Sequence, residues 1–147
     1  MSNWITIVKL DLYNAKAAVL VDAADNVQLG VGQASRSAQV IADVTTEIRR
    51  KIARVTTLDQ DVTKIPGGLK SAAVDIIVAR LKISLEQELS QDERDTLKRR
   101  TQEINDVRDG KDFVDPPDNP ATETFEQAQP APSFGDTPCR RKNRENG

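Results

Sequence analysis

The chain has 147 residues, of which 37 % are hydrophobic and 3 % aromatic, and its 21 basic and 23 acidic side chains leave a formal net charge of −2. It holds no His and one each of Cys (Cys139), Trp (Trp4) and Tyr (Tyr13), which excludes imidazole catalysis, His-containing metal sites, an internal disulfide framework and all-cysteine zinc sites. So few aromatics make no base-stacking platform, and a near-even charge balance is not that of a protein built to grip phosphates.

The N-terminal stretch Trp4 to Leu12 is interrupted by Lys9 and has no basic flank, so no signal peptide is expected. No run nears the ~18 apolar residues of a membrane helix. A soluble protein made in a cytoplasm is expected, with no membrane partner.

Trp4 to Val8 is the one candidate for period-2 alternation; the rest of the body reads as helical. Asp11 suits the cap of a first helix running to about Val21 through Leu12, Ala15, Val19 and Leu20. Asp25 to Gly32 reads as a loop, with Gly30 and Gly32 as breakers. A second helix is expected from about Ser35 to Arg54, because Ile41, Val44, Ile48, Ile52 and Val55 recur at steps of three and four. Thr56 to Ile65 reads as a polar connection. Ile65-Pro66-Gly67-Gly68 reads as a turn in which Pro66 suits the start of a third helix. That helix is expected to run from about Leu69 to Leu89, with an apolar stripe wide enough for a central element. Ser90 and Glu93 match a capping box, and a fourth helix carrying Leu97, Thr101, Ile104 and Val107 stops at Gly110.

Six of the seven prolines lie after residue 115, and residues 1–113 hold 33 Leu, Ile, Val or Phe against three in residues 114–147. The first part can bury a core and the second cannot offset its own ordering entropy. The expected architecture is therefore all-α. It is a small antiparallel bundle of about four helices (1–113) followed by an extended or disordered Pro-rich tail (114–147). The body balances 17 acids with 17 bases, while the tail carries six acids and a basic cluster of Arg140, Arg141, Lys142 and Arg144.

Candidate chemistry is sparse. Asp22 and Asp25 lack calcium-loop spacing, since Ala24 and Val27 stand where a ligand and a glycine are needed. Gly30-Val31-Gly32 lacks the third glycine of a dinucleotide fingerprint. No cofactor, metal or catalytic residue is expected. Arg49, Arg50, Lys51 and Arg54 form a basic run on the second helix; Arg49 and Arg50 fall with Glu47 away from the apolar face, as a solvated surface paired to nearby acids. Lys98, Arg99 and Arg100 read the same way among Asp92, Glu93, Asp95 and Glu103. The Arg140–Arg144 cluster suits a nucleic acid, an acidic surface on another subunit or a solubilising end. Cys139 lacks a visible activating base, although its basic neighbours favour the thiolate. Trp4 and Tyr13 suit a core or an interface. Phe113 reads as a docking anchor; Phe125 and Phe134, in the Pro-rich segment, are open between anchors and plain tail residues.

Several stretches together resemble a known family. They are Thr6-Ile-Val-Lys-Leu-Asp11-Leu12, Ala42-Asp-Val-Thr-Thr-Glu47-Ile48-Arg-Arg-Lys-Ile52, Ile65-Pro66-Gly-Gly-Leu69-Lys-Ser-Ala72-Ala73-Val-Asp75-Ile76-Ile-Val-Ala79-Arg80-Leu81, and Asp109-Gly110-Lys111-Asp112-Phe113. Over residues 4–113 the chain resembles the head–tail adaptor (connector or head-completion) proteins of long-tailed bacteriophages, especially the Mu-like prophage group. It departs from them in a less Asp-rich loop after the first helix and in a longer tail. The resemblance implies a structural virion protein without catalysis or cofactor. About twelve copies would form a closed, head-to-tail ring below the portal protein at the virion neck. The ring would extend the DNA channel without sequence-specific binding and dock the next stopper, neck or tail-terminator protein. Candidate portal or inter-subunit contacts are then Trp4, Phe113, Phe125, Phe134, Arg140, Arg141, Lys142 and Arg144; Arg49, Arg50 and Arg54 are a channel-facing or solvated basic face. The alternative is a small helical oligomeric regulator or interaction module whose basic tail binds nucleic acid.

Overall fold

The structure is a computed structural model that describes residues 3–15, 17–26 and 35–121. Among them the chain forms five α-helices and one small two-stranded sheet, so it is mostly helical but has one helix more than the periodicity suggests, and a β-ribbon besides.

The ribbon joins the Trp4 end of the chain to the segment before the central helix. Strand β1 (Trp4–Thr6) runs antiparallel to β2 (Lys64–Pro66), with Trp4 opposite Pro66 and Thr6 opposite Lys64. Pro66 ends β2, where its missing N–H leaves no ladder bond unmade. The next N–H, of Gly67, donates to the Asn3 carbonyl at 2.8 Å. A Cβ on Gly67 would sit 3.0 Å from that oxygen, so a side chain here would force the strands apart. Pro66 is thus the last residue of a strand; a short 3-10 turn, Gly67–Leu69, separates it from the helix that it was expected to start.

The single first helix expected from Asp11 to Val21 is two. Helix α1 spans Lys9–Asn14 and α2 spans Ala18–Asp25. Leu12 and Val21 are both fully buried, yet nine residues along one helix would turn them to opposite faces. The break at Ala15–Ala17 lets both face the core, and the Ala15 and Ala17 N–H groups both donate to the Leu12 carbonyl. Val8 is the N-cap residue of α1, and Asp11 acts from inside the first turn, its carboxylate accepting from the Val8 N–H at 2.9 Å.

Helix α3 spans Arg36–Ile52, opened by Ser35, whose hydroxyl accepts from the Ala38 N–H at 3.3 Å. Helix α4 (Lys70–Ser84) is the central element. Ala72, Ala73, Val74, Ile76, Ile77, Ala79 and Leu81 are all buried, so apolar residues face nearly every side. Helix α5 (Gln91–Arg108) opens with the Ser90–Glu93 capping box and buries only Ile104 and Val107. It closes in a Schellman motif: the Lys111 N–H reaches the Asp106 carbonyl, the Gly110 N–H reaches Val107, and Gly110 has φ +80°.

Helix α4 stops at Ser84, short of the expected Leu89, with the same motif. The Gln87 N–H donates to Lys82 and the Glu86 N–H to Ile83, placing Glu86 at φ +59°. A glutamate in the left-handed region gives no sequence signal, and it is strained by its Cβ. Glu86→Gly is therefore expected to stabilise the protein by about 1 kcal/mol. Urea unfolding should show a higher midpoint at unchanged slope, and a lower midpoint would contradict this account.

Candidate functional site

The most distinctive polar arrangement lies where α3, the loop after it, the Asn3–Trp4 segment and residues 114–121 meet. Arg49 was expected on a solvated face. It is instead buried, with 8 % of its surface exposed, on the same side of α3 as Thr45 and Ile52. One guanidinium nitrogen donates to the carbonyls of Asp61 at 3.0 Å and Lys64 at 2.6 Å; the other donates to the Asp59 carbonyl at 2.8 Å. Burial pulls the Arg49 pKa down, and the charges of Asp59 and Asp61 act against that pull. An arginine keeps its proton under such conditions, so a buried cation organises the 59–64 loop. Glu47, the expected partner of this run, pairs with Arg80 of α4 at 2.9 Å.

Asp59 is 1 % exposed. One carboxylate oxygen caps the Asp61 N–H at 2.9 Å and the other accepts from the Asn119 N–H at 3.3 Å. That second bond belongs to a strap, residues 114–121, which runs extended along the body. Asn119 accepts from the Gln60 N–H at 2.9 Å, and the Ala121 N–H donates to Leu58 at 2.8 Å, so the strap pairs antiparallel with the Leu58–Gln60 edge around an Asp59–Pro120 bridge. At its other end the Asp115 carbonyl accepts the Trp4 indole N–H at 2.8 Å, and the Asp118 carboxylate accepts the Asn3 N–H at 2.8 Å.

Other hollows lie among the described residues. An apolar groove of about 410 Å³ is lined by Ile7, Val8, Ile41, Ala42, Thr45 and Val62 among others. Val8 and Val62 are exposed there, and the lining is mainly apolar, its polar members being threonine hydroxyls and Lys9, which pairs with Asp25. A smaller hollow of about 210 Å³ includes Asp75, Asp92 and Glu93. Two of those acids are engaged: Asp75 holds Arg100 at 2.7 Å, and Glu93 pairs with Lys82. Among the described residues no group of three or more metal-ligating side chains comes together.

The expected site residues are therefore dispersed. Trp4 is a core residue with 0 % exposure, and its indole N–H bonds the strap. Arg49 leaves the proposed basic face; Arg50 and Arg54 remain exposed on α3 and the residues after it. Arg100 pairs with Asp75 and Glu103 as expected of a solvated, compensated face. Asp25 is occupied by Lys9 at 2.6 Å and by the Ser37 N–H and hydroxyl, both at 3.0 Å. Phe113 is 85 % exposed beside the strap. Phe125, Phe134, Cys139, Arg140, Arg141, Lys142, Arg144 and the Gly30-Val31-Gly32 segment lie outside the described residues. Sequence reasoning missed Asp59 and the strap. Arg49 had a usable signal, since it stands four residues after Thr45 and three before Ile52.

The chain matches no family model, no curated protein and no solved structure.

Replacing Arg49 by Ala leaves three inward carbonyls without their donor and should cost about 3 kcal/mol in chemical unfolding. Arg49→Lys should recover less than half of that, because a point ammonium cannot reach all three acceptors. Full recovery by Lys would show that charge alone matters.

Acid should also destabilise the fold through Asp25. Burial pushes its pKa up, but the bonds from Lys9 and Ser37 outweigh burial and leave it lowered. A lowered folded pKa means that stability is present above the usual carboxylate value of about 4 and is lost as pH falls through the folded value. Thermal melts between pH 6 and 2 should lose less stability in Asp25→Asn than in the parent, and parallel curves would refute the assignment.

Proposed function

We propose that the chain is a structural assembly protein of the phage head–tail adaptor type. Its helices form an antiparallel bundle, and copies close into a ring, of about twelve in such adaptors, below a portal at the virion neck. DNA passes through without sequence-specific contact, and a stopper, neck or tail-terminator protein docks on the far side. The reading assigns no catalytic step and no cofactor.

The observation that carries it is the strap. It ties the chain after Phe113 back to Asn3, Trp4 and the Leu58–Gln60 edge, and delivers the last 26 residues from one defined point, Ala121. A folded block whose chain is tied back to its surface at a fixed site suits a protein whose work is geometry. Charge supports the same reading. Lys9, Lys70, Arg80, Lys82, Arg100 and Arg108 each face a carboxylate of their own chain. Those six pairs take up about a third of the body's 17 basic side chains, and the body's net charge is zero, which suits DNA that must slide. Arg50 and Arg54 are assigned to the channel wall. Phe113, Phe125, Phe134, Arg140, Arg141, Lys142 and Arg144 are assigned to contacts with the portal or a neighbouring copy.

Mass measurement and electron microscopy of the purified chain, alone and mixed with a portal ring, test this. Rings that seat on the portal are expected, and failure to associate removes the reading. Truncation after Ala121 should leave the body folded, with Trp4 fluorescence unchanged, and abolish portal association. Tight, salt-sensitive binding of the isolated chain to duplex DNA would favour the regulator instead.

A further inference from the structure

We propose that the strap is exchangeable: two copies trade residues 114–121, so that each strap lies on the other copy's Leu58–Gln60 edge and accepts the other copy's Trp4 indole N–H. The proposal rests on the strap's own geometry and not on the adaptor reading.

Three observations carry it. First, the strap is held through groups that any copy can supply. Strap main-chain atoms bond the body through Asp115 O to Trp4, Asn119 O to Gln60, Ala121 N to Leu58, and Asn119 N to the Asp59 carboxylate. The Pro120 carbonyl adds the Gln60 side-chain amide, and the Asp118 carboxylate adds the Asn3 N–H. A second copy's strap makes the same bonds.

Second, little burial resists its departure. Val114 packs against the core and Pro117 and Ala121 are half-buried, but Asp115, Pro116, Asp118, Asn119 and Pro120 are exposed. What the strap covers resists staying bare. The edge of Leu58–Gln60 would lose its partners, and the Asp59 carboxylate, 1 % exposed, would lose one of its two donors. Unpaired polar groups of this kind are costly. An opened copy is therefore recapped by the segment that fits, and a second copy carries it.

Third, the hinge suits the motion. The chain turns from α5 into the strap at Gly110, at φ +80°, followed by exposed Lys111, Asp112 and Phe113. Glycine moves from this conformation to an extended one at almost no steric penalty, swinging the strap outward. The closed copy leaves the Phe113 ring 85 % in water. Exchange of an identical element between copies needs no new interface, because every strap contact is already encoded.

Disulfide mapping tests this on the full chain. Positions 60 and 119 are opposite each other across the Asp59–Pro120 bridge, a spacing that suits a disulfide. Gln60→Cys/Asn119→Cys, with Cys139→Ser, is prepared unlabelled and ¹⁵N-labelled. The two are mixed equally in denaturant, refolded at high concentration and oxidised. Exchange predicts covalent dimers in which about half of the 60–119 cross-links join a heavy to a light chain, as random pairing of copies requires. Cross-links confined to one isotope at every concentration overturn the proposal. Rings with only same-chain cross-links sink exchange and leave the adaptor reading standing; mixed cross-links without portal binding do the reverse. A second variant guards against misfolding of the double mutant. Gly110→Ala strains only the closed turn and should raise the dimer fraction of the otherwise unaltered chain about fivefold. An unchanged fraction overturns the proposal as well.

Discussion

The fold depends on one buried cation. Arg49 reaches from α3 into a loop that has almost no apolar residues with which to hold itself, and its three bonds fix the carbonyls of Asp59, Asp61 and Lys64 in place. Once Lys64 is fixed, β2 has a defined start, and the register opposite β1 follows, with Trp4 facing Pro66. Gly67 then closes on the Asn3 carbonyl, and α4 begins at Lys70. The same guanidinium sets the direction of Asp59, whose carboxylate receives the strap. Ribbon, central helix and strap thus share a single anchor. A hydrophobic residue in place of Arg49 could fill the volume but could not satisfy three inward carbonyls.

Around that anchor the helices are oriented by apolar packing on α4 and by ion pairs that cross between elements. Lys70 holds Asp11 of α1, Arg80 holds Glu47 of α3, and Arg100 of α5 holds Asp75 of α4. Each half-exposed pair contributes little stability alone. Their larger effect is on the surface, because a cation that already faces a carboxylate is a poor phosphate ligand. An even balance of charge in the body thus acquires a structural meaning: part of it is spent on pairs that join separate elements.

Local signals in the sequence are legible in part, since Asp11 acts from inside the first turn of α1 and Pro66 ends a strand, and long-range ones leave little trace. The Ser90–Glu93 box and the Gly110 stop lie within three or four residues of the backbone groups they serve, and each stands where the pattern puts it. The split between α1 and α2 has no breaker. It follows from Leu12 and Val21 both needing the core, a demand set by helices far away in sequence. The end of α4 fell on a glutamate, which no turn rule selects. Arg49 looked like a surface residue because its partners are carbonyls, and a carbonyl carries no side-chain identity to be read. The strap was hidden for the same reason: Pro-rich and poor in apolar groups, it binds through its main chain. Of the candidate contacts, Trp4 proved internal and Phe113 external, a distinction composition alone does not make.

The strap also changes what the tail can do. A segment attached only at Phe113 would tether partners loosely and transmit nothing to the body. Here the chain passes Trp4, Asn3, Asp59 and Leu58 before it leaves at Ala121. A pull on residues beyond Ala121 therefore acts first on the Leu58–Gln60 edge, which Arg49 holds to α3, and only then on the Trp4 contact. Antiparallel pairing at that edge is short, so it yields one bond at a time, whereas the Arg49 cluster resists as a unit. Load on the tail is thus met by a weak element in series with a strong one.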